Sequence, residues 1–191
     1  MPKVKDNLRI AIVSVVTALA CLFGYMMFQN LCAELFIRWG LETRKTMDLF
    51  AHEFWLTFLV TALLVPVLEE LIFRLCSCKL LQLTKLPDWA VIVISAVIFA
   101  VYHLSWSQLV YQFIMGVWLA WIFIKTRQIG WTMLIHVINN AIIVTYTYFV
   151  GEGDSVFTLS AGTVILSIGL AVATTVAVFW LIKKGIPNYE K

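Results

Sequence analysis

Charge is the scarcest feature of this 191-residue sequence: 13% of its residues are charged, against 62% that are apolar. The mean hydropathy of +0.92 lies far above that of a soluble domain, and a soluble domain is excluded. Only four cysteines occur, at positions 21, 32, 76 and 78. They lack the paired spacing of a zinc ribbon, and two fall in a run expected to be helical, so packing is their expected role. No internal repeat, low-complexity tract or Gly/Ser linker divides the chain, which predicts a single transmembrane domain over residues 1–191. No small-x-small cleavage site with a polar mature start follows the first apolar run, so that run is expected to be retained although Lys3, Lys5 and Arg9 flank it. ALAC at Ala18 to Cys21 lacks the leucine of a lipoprotein acylation site and sits in mid-span.

What the chain does have is apolar length. Runs at Leu8–Phe28, Phe54–Phe73, Trp89–Leu104, Gln108–Ile124, Ile129–Val150 and Phe157–Ile182 each approach the roughly 20 residues that a helix needs to cross a bilayer core. The runs are continuous rather than alternating, which argues against a barrel and for an all-α, polytopic transmembrane helical bundle of about six spans. Lys and Arg gather where an inward-facing N-terminus puts the cytoplasmic loops, with only Arg38, Arg44 and Lys45 outside. Both termini are thus expected in the cytoplasm, with the acidic GEGD loop (Gly151 to Asp154) outside. The net charge of +3 is a topology signal and not the footprint of a nucleic-acid partner. Tryptophans 55, 89, 106, 131 and 180 near span ends fit interfacial anchoring, and the segment from Leu31 to Phe50 is expected to lie on the outer surface.

Ionisable side chains within spans are costly to insert and default to a functional hypothesis. The spans hold five, Glu69, Glu70, Arg74, His103 and His136, with Asn140 as a neutral companion. His52 falls in the outer segment and reads as solvated or interfacial. Adjacent helical residues point about 100° apart while residues four apart share a face, so Glu70 is expected to meet Arg74 and Glu69 to project elsewhere, unpaired within its helix. A paired carboxylate suits a supporting role, and an unpaired one in a dry setting suits a general base. Taken alone, EExxxR could equally brace the bundle. By the same spacing Phe99 shares a face with His103, and His136 with Asn140. Each of three spans pays its own insertion penalty, which convergence on one buried site would explain. Pro66, four residues before Glu70, predicts a kink and a freed carbonyl just ahead of the carboxylates. Gly116 is expected to let helices approach closely.

EExxxR at Glu69 to Arg74, FxxxH at Phe99 to His103 and HxxxN at His136 to Asn140 together resemble the CPBP intramembrane proteases. That family comprises the type II CAAX prenyl endopeptidases and bacterial relatives linked to bacteriocin processing and self-immunity. The likeness runs over about residues 65–142 and includes TRQIGWTMLIHVINN (Thr126 to Asn140). It implies that Glu69 and His103 activate water, that Glu70 and Arg74 hold the motif helix, and that His136 and Asn140 complete the site. Without a metal, Asn140, with His136 as a second donor, would hydrogen-bond the oxyanion. With one, Glu69, His103 and His136 would bind zinc. The absence of HExxH spacing favours the metal-free form. The family commonly has glycine after the motif arginine, where this chain has Leu75.

The resemblance makes the expected function an intramembrane endopeptidase acting on a membrane-associated peptide or protein in a bacterial plasma membrane. The substrate would be a prenylated C-terminus or, in a bacterium, a leader peptide, bacteriocin or pheromone precursor. The alternative is an immunity or scaffold protein of the same fold that binds a bacteriocin target or sensor kinase. A bis-histidine haem protein would leave the carboxylates unexplained, and a transporter would show repeated halves. One difficulty concerns depth. If the second span stopped at Phe73, Glu69 would lie at the inner surface, far from His103. The helix is therefore expected to continue through Arg74–Lys85 to Pro87, which sets Glu69 and His103 about 20 and 24 Å above the inner end but His136 only about 10 Å.

Overall fold

A computed structural model describes residues 4–41, 53–150 and 160–185, all helix or short connection among them. Helix α1 runs over Val4–Arg38, α2 over Phe54–Leu83, α3 over Asp88–Tyr102, α4 over Trp106–Thr126, α5 over Ile129–Val150 and α6 over Ala161–Gly185. All but α3 are long and apolar enough to cross a membrane. The fold is thus the expected all-α bundle, but the run expected to span at Trp89–Leu104 forms a helix of only 15 residues. The first helix also outruns its expected end at Phe28 by ten residues, because AELFIR carries no breaker and Arg38 bonds Glu34 one turn back at 2.8 Å. The outer segment therefore begins later than expected. Its remainder at 42–52, with His52, and the GEGD loop lie outside the described residues.

The second helix does continue past Phe73, reaching Leu83 before Pro87 turns the chain into α3. Its surface is inverted relative to a soluble helix. Leu64, Leu68 and Ile72, spaced by four, face outward, while Pro66, Glu69, Glu70 and Arg74 are buried. That is the arrangement a lipid solvent selects, since leucine is at home in lipid and the charges are not. Two stretches of α2, Phe58–Leu64 and Leu71–Cys78, wind as π-helix and flank the carboxylates. In the first, the Val65 N–H bonds Val60 O, five residues back. The next donor in that ladder would be residue 66 bonding Thr61 O, and proline has no N–H to give. Pro66 thus frees a carbonyl, as the sequence predicts, but the wide turn makes it that of Thr61 rather than Ala62.

Helix α5 packs along the first half of α2, α3 packs on α4, and α1 lies across α4, α5 and α6. The main core gathers Tyr25, Tyr111, Met115, Trp118, Leu119, Ile122 and Ile135. Gly116 sits where α4 meets α3, and a Cβ there would lie 3.0 Å from Ala96 Cα and 3.2 Å from Phe99 Cδ1. With little hydrophobic drive between helices in lipid, such close backbone approach supplies the packing. Gly116→Ala is expected to cost about 1–3 kcal/mol by overpacking. A lowered midpoint of thermal unfolding in detergent would register it, and an unchanged midpoint would contradict the packing described here.

Candidate active site

The site forms where α2, α3 and α5 meet. Its three chain segments are LEELIFR, FAVYH and HVINN. Glu69 and Glu70 diverge as neighbours on a helix must. Glu70 turns to Arg74, with Oε2 3.1 Å from Nε and both side chains wholly buried. This contact is an ion pair without directed hydrogen-bond geometry, since none of the guanidinium nitrogens has a hydrogen-bond partner among the described residues. The guanidinium carbon instead lies 4.7 Å over the Phe99 ring, a cation–π contact. The other oxygen of Glu70, Oε1, lies 3.1 Å from His136 Nδ1. A carboxylate accepts, so Nδ1–H donates, and the second ring nitrogen is directed across the site.

His103 is fixed differently. It caps the end of α3, where its backbone N–H bonds Ala100 O at 3.3 Å and Leu104 takes up a left-handed conformation. An α-turn would have given that N–H to Phe99 O. Phe99 O instead meets His103 Nδ1 at 2.9 Å. A carbonyl only accepts, so Nδ1 carries a proton and Nε2 is the nitrogen turned to the site. The helix end thereby satisfies its orphan carbonyl and orients the ring together.

Both Nε2 atoms face Glu69. His103 Nε2 stands 3.9 Å from Oε1 and His136 Nε2 stands 3.5 Å from Oε2. Neither distance is a good direct hydrogen bond, and a water seated to one side of the His103–Glu69 pair lies within reach of both atoms. Phe99 is the wall behind them, fully buried, with ring centroids 4.8 Å from His103, 5.8 Å from His136 and 5.2 Å from Phe73. Helix α2 winds as π-helix immediately after Glu70, and near its end Gln82 Oε1 accepts from Arg127 Nη1, in the turn between α4 and α5, at 2.8 Å.

Five of the six expected residues, Glu69, Glu70, Arg74, His103 and His136, form one cluster. Asn140 is on the same face of α5 one turn beyond His136, and its described hydrogen bonds run to Asn139 and Thr61 O. Sequence reasoning missed the bond from Glu70 to His136, the role of Phe99 as a common wall, and the polar residues Tyr111, Asn139 and Thr61 behind Asn140. Asn139 was visible as the first asparagine of HVINN, whereas no spacing pointed to Tyr111. Among the described residues, no group of three or more His, Cys, Asp or Glu side chains is disposed to hold a metal ion. His136 Nδ1 is engaged by Glu70 and His103 Nδ1 by Phe99 O, which leaves both Nε2 atoms turned to Glu69, each toward a different oxygen.

These features define a class: a polytopic helical membrane protein with a glutamate placed between two imidazoles inside the bundle. Residues 51–142, which hold the whole cluster, match the family model for the type II CAAX prenyl endopeptidase, Rce1-like. The match supports the CPBP family of proteases that the three motifs imply. No curated protein and no solved structure matches it.

Proposed function

We propose that the chain is an intramembrane endopeptidase that hydrolyses a peptide bond in a membrane-associated peptide, with water activated by Glu69 and His103. The observation that carries this reading is the pair of Nε2 atoms facing the two oxygens of Glu69 at 3.9 and 3.5 Å. A water bridging Glu69 Oε1 and His103 Nε2 donates one hydrogen to each and keeps a lone pair for attack. Its oxygen adds to the scissile carbonyl carbon as its proton passes to Glu69, and the carbonyl electrons move to the oxygen. Asn140 Nδ2–H then stabilises that oxyanion. Collapse breaks the C–N bond, and the proton held by Glu69 goes to the leaving amine. Arg74 and Glu70 touch no reacting atom; they hold His136 and, through Phe99, the floor of the site.

The family's name supplies the first substrate to try, a peptide ending in a prenylated cysteine followed by three residues. Purified chain in detergent or vesicles is incubated with this peptide, and release of the C-terminal tripeptide is followed by mass spectrometry. In parallel, cells carrying Glu69→Ala are compared with wild type for uncleaved peptides. Absence of any accumulated peptide together with no tripeptide release would sink the reading. The mechanism requires no metal, so turnover is expected to survive dialysis against EDTA and then 1,10-phenanthroline within about twofold. Loss of activity restored by zinc would overturn the metal-free scheme.

A further inference from the structure

The reading above gives Asn140 a donor's role, and a side-chain amide serves as a donor only if its nitrogen faces the right way. We infer that Tyr111, Asn139 and the carbonyl freed by Pro66 form a clamp that fixes the orientation of the Asn140 amide, making Tyr111 and Asn139 positioning residues for the reaction. The inference rests on the proposed role of Asn140 and extends it to groups that touch no substrate.

The chain of bonds is continuous. Tyr111 on α4 donates its hydroxyl to Asn139 Oδ1 at 2.7 Å. Asn139 Nδ2 donates to Asn140 Oδ1 at 3.3 Å. Asn140 Nδ2 donates to Thr61 O at 3.2 Å. Each link constrains the next. With its Oδ1 taken by a hydroxyl, Asn139 can offer only N–H to its neighbour, so Asn140 must present oxygen to it. At the far end Thr61 O can only accept, so the atom facing it must be Asn140 Nδ2. The Thr61 end demands this orientation, and the tyrosine hydroxyl, able to donate or accept, answers it by donating. One Nδ2 hydrogen is spent on Thr61, and the second remains for a developing negative charge.

The clamp is built from parts that fold requirements alone do not call for. Tyr111 and Asn139 are 4% and 3% exposed in the bundle core, where an apolar pair would pack without the desolvation cost. Thr61 O is available because the ladder around it has π spacing and position 66 is proline. An alanine at 66 would return an N–H to that carbonyl and compete with Asn140. A flipped Asn140 would aim its oxygen at the oxyanion, so the clamp acts on turnover and leaves substrate binding alone.

Tyr111→Phe and Pro66→Ala are made in the wild-type chain and again in Asn140→Ala, and turnover is measured with the prenylated peptide. Each is expected to lower kcat roughly 5- to 30-fold with KM held within twofold, and neither is expected to slow Asn140→Ala further, the signature of residues acting through one partner. Pro66→Ala also removes a helix-interior proline and is expected to unfold no earlier than wild type, so its slower turnover is not lost stability. A second readout needs no substrate: in chain labelled with 15N-asparagine, the Asn140 side-chain amide is expected to shift and exchange faster with solvent in both variants. Independent multiplication of the defects, or an unmoved Asn140 amide, overturns the clamp while leaving the peptidase reading intact. Full turnover in Asn140→Ala overturns the oxyanion role and the clamp with it. Turnover retained in Glu69→Gln removes the peptidase mechanism itself.

Discussion

Glu69→Gln is expected to reduce kcat by about 10³- to 10⁴-fold, the upper range for loss of a general base, with little change in the unfolding midpoint. The amide keeps the shape of the carboxylate and can still hydrogen-bond a water placed between it and His103. It cannot take that water's proton. Because Glu69 stands 3.5 and 3.9 Å from two imidazoles and pairs with no Lys or Arg among the described residues, its replacement orphans no buried guanidinium or ammonium. Stability and turnover should therefore separate cleanly in this variant. Equal turnover of Glu69→Gln and wild type would show that the carboxylate is not the base.

Arg74 should behave in the opposite manner. It is fully buried, 3.1 Å from Glu70, and it lies over Phe99. Arg74→Met leaves the Glu70 carboxylate without its cation inside the bundle, a defect worth about 3–5 kcal/mol when a buried pair loses one member. The variant is expected to unfold at markedly lower temperature in detergent or to fail to accumulate. The double variant Glu70→Leu/Arg74→Met removes both charges, and it is expected to recover most of the lost stability, since well-packed apolar replacements for a buried pair are commonly neutral or better. It should not recover activity, because His136 then has no carboxylate to hold Nδ1–H. A double variant with restored turnover would show that the pair serves the bundle alone.

The contrast between these two glutamates was readable before any coordinates. Helical spacing assigns Glu70 to Arg74 and leaves Glu69 unpaired within its helix. The continuation of α2 to Leu83 was likewise forced, because a shorter helix could not bring Glu69 level with His103. What spacing along one helix cannot report is which atoms of separate helices meet. The bond between Glu70 and His136 joins residues 66 apart, and the one between Tyr111 and Asn139 joins residues 28 apart. Winding was hidden too. LEELIFR reads as ordinary α-helix, and nothing in its residue types announces a ladder that skips one more position. Nor did FAVYH reveal that its histidine would close the helix upon its own carbonyl.

The widened turns of α2 carry a further consequence for how this chain can vary. A π turn holds one residue more than an α turn and absorbs it locally, so the helix on either side keeps its direction. Between Phe58 and Leu64, an exchange of one apolar residue for another leaves the widened turn intact. Removal of a single residue lets the ladder tighten to α spacing, re-laying the backbone inside the turn, Thr61 with it, while the faces outside it are kept. One residue more or fewer is accordingly felt at that carbonyl before it is felt by the bundle.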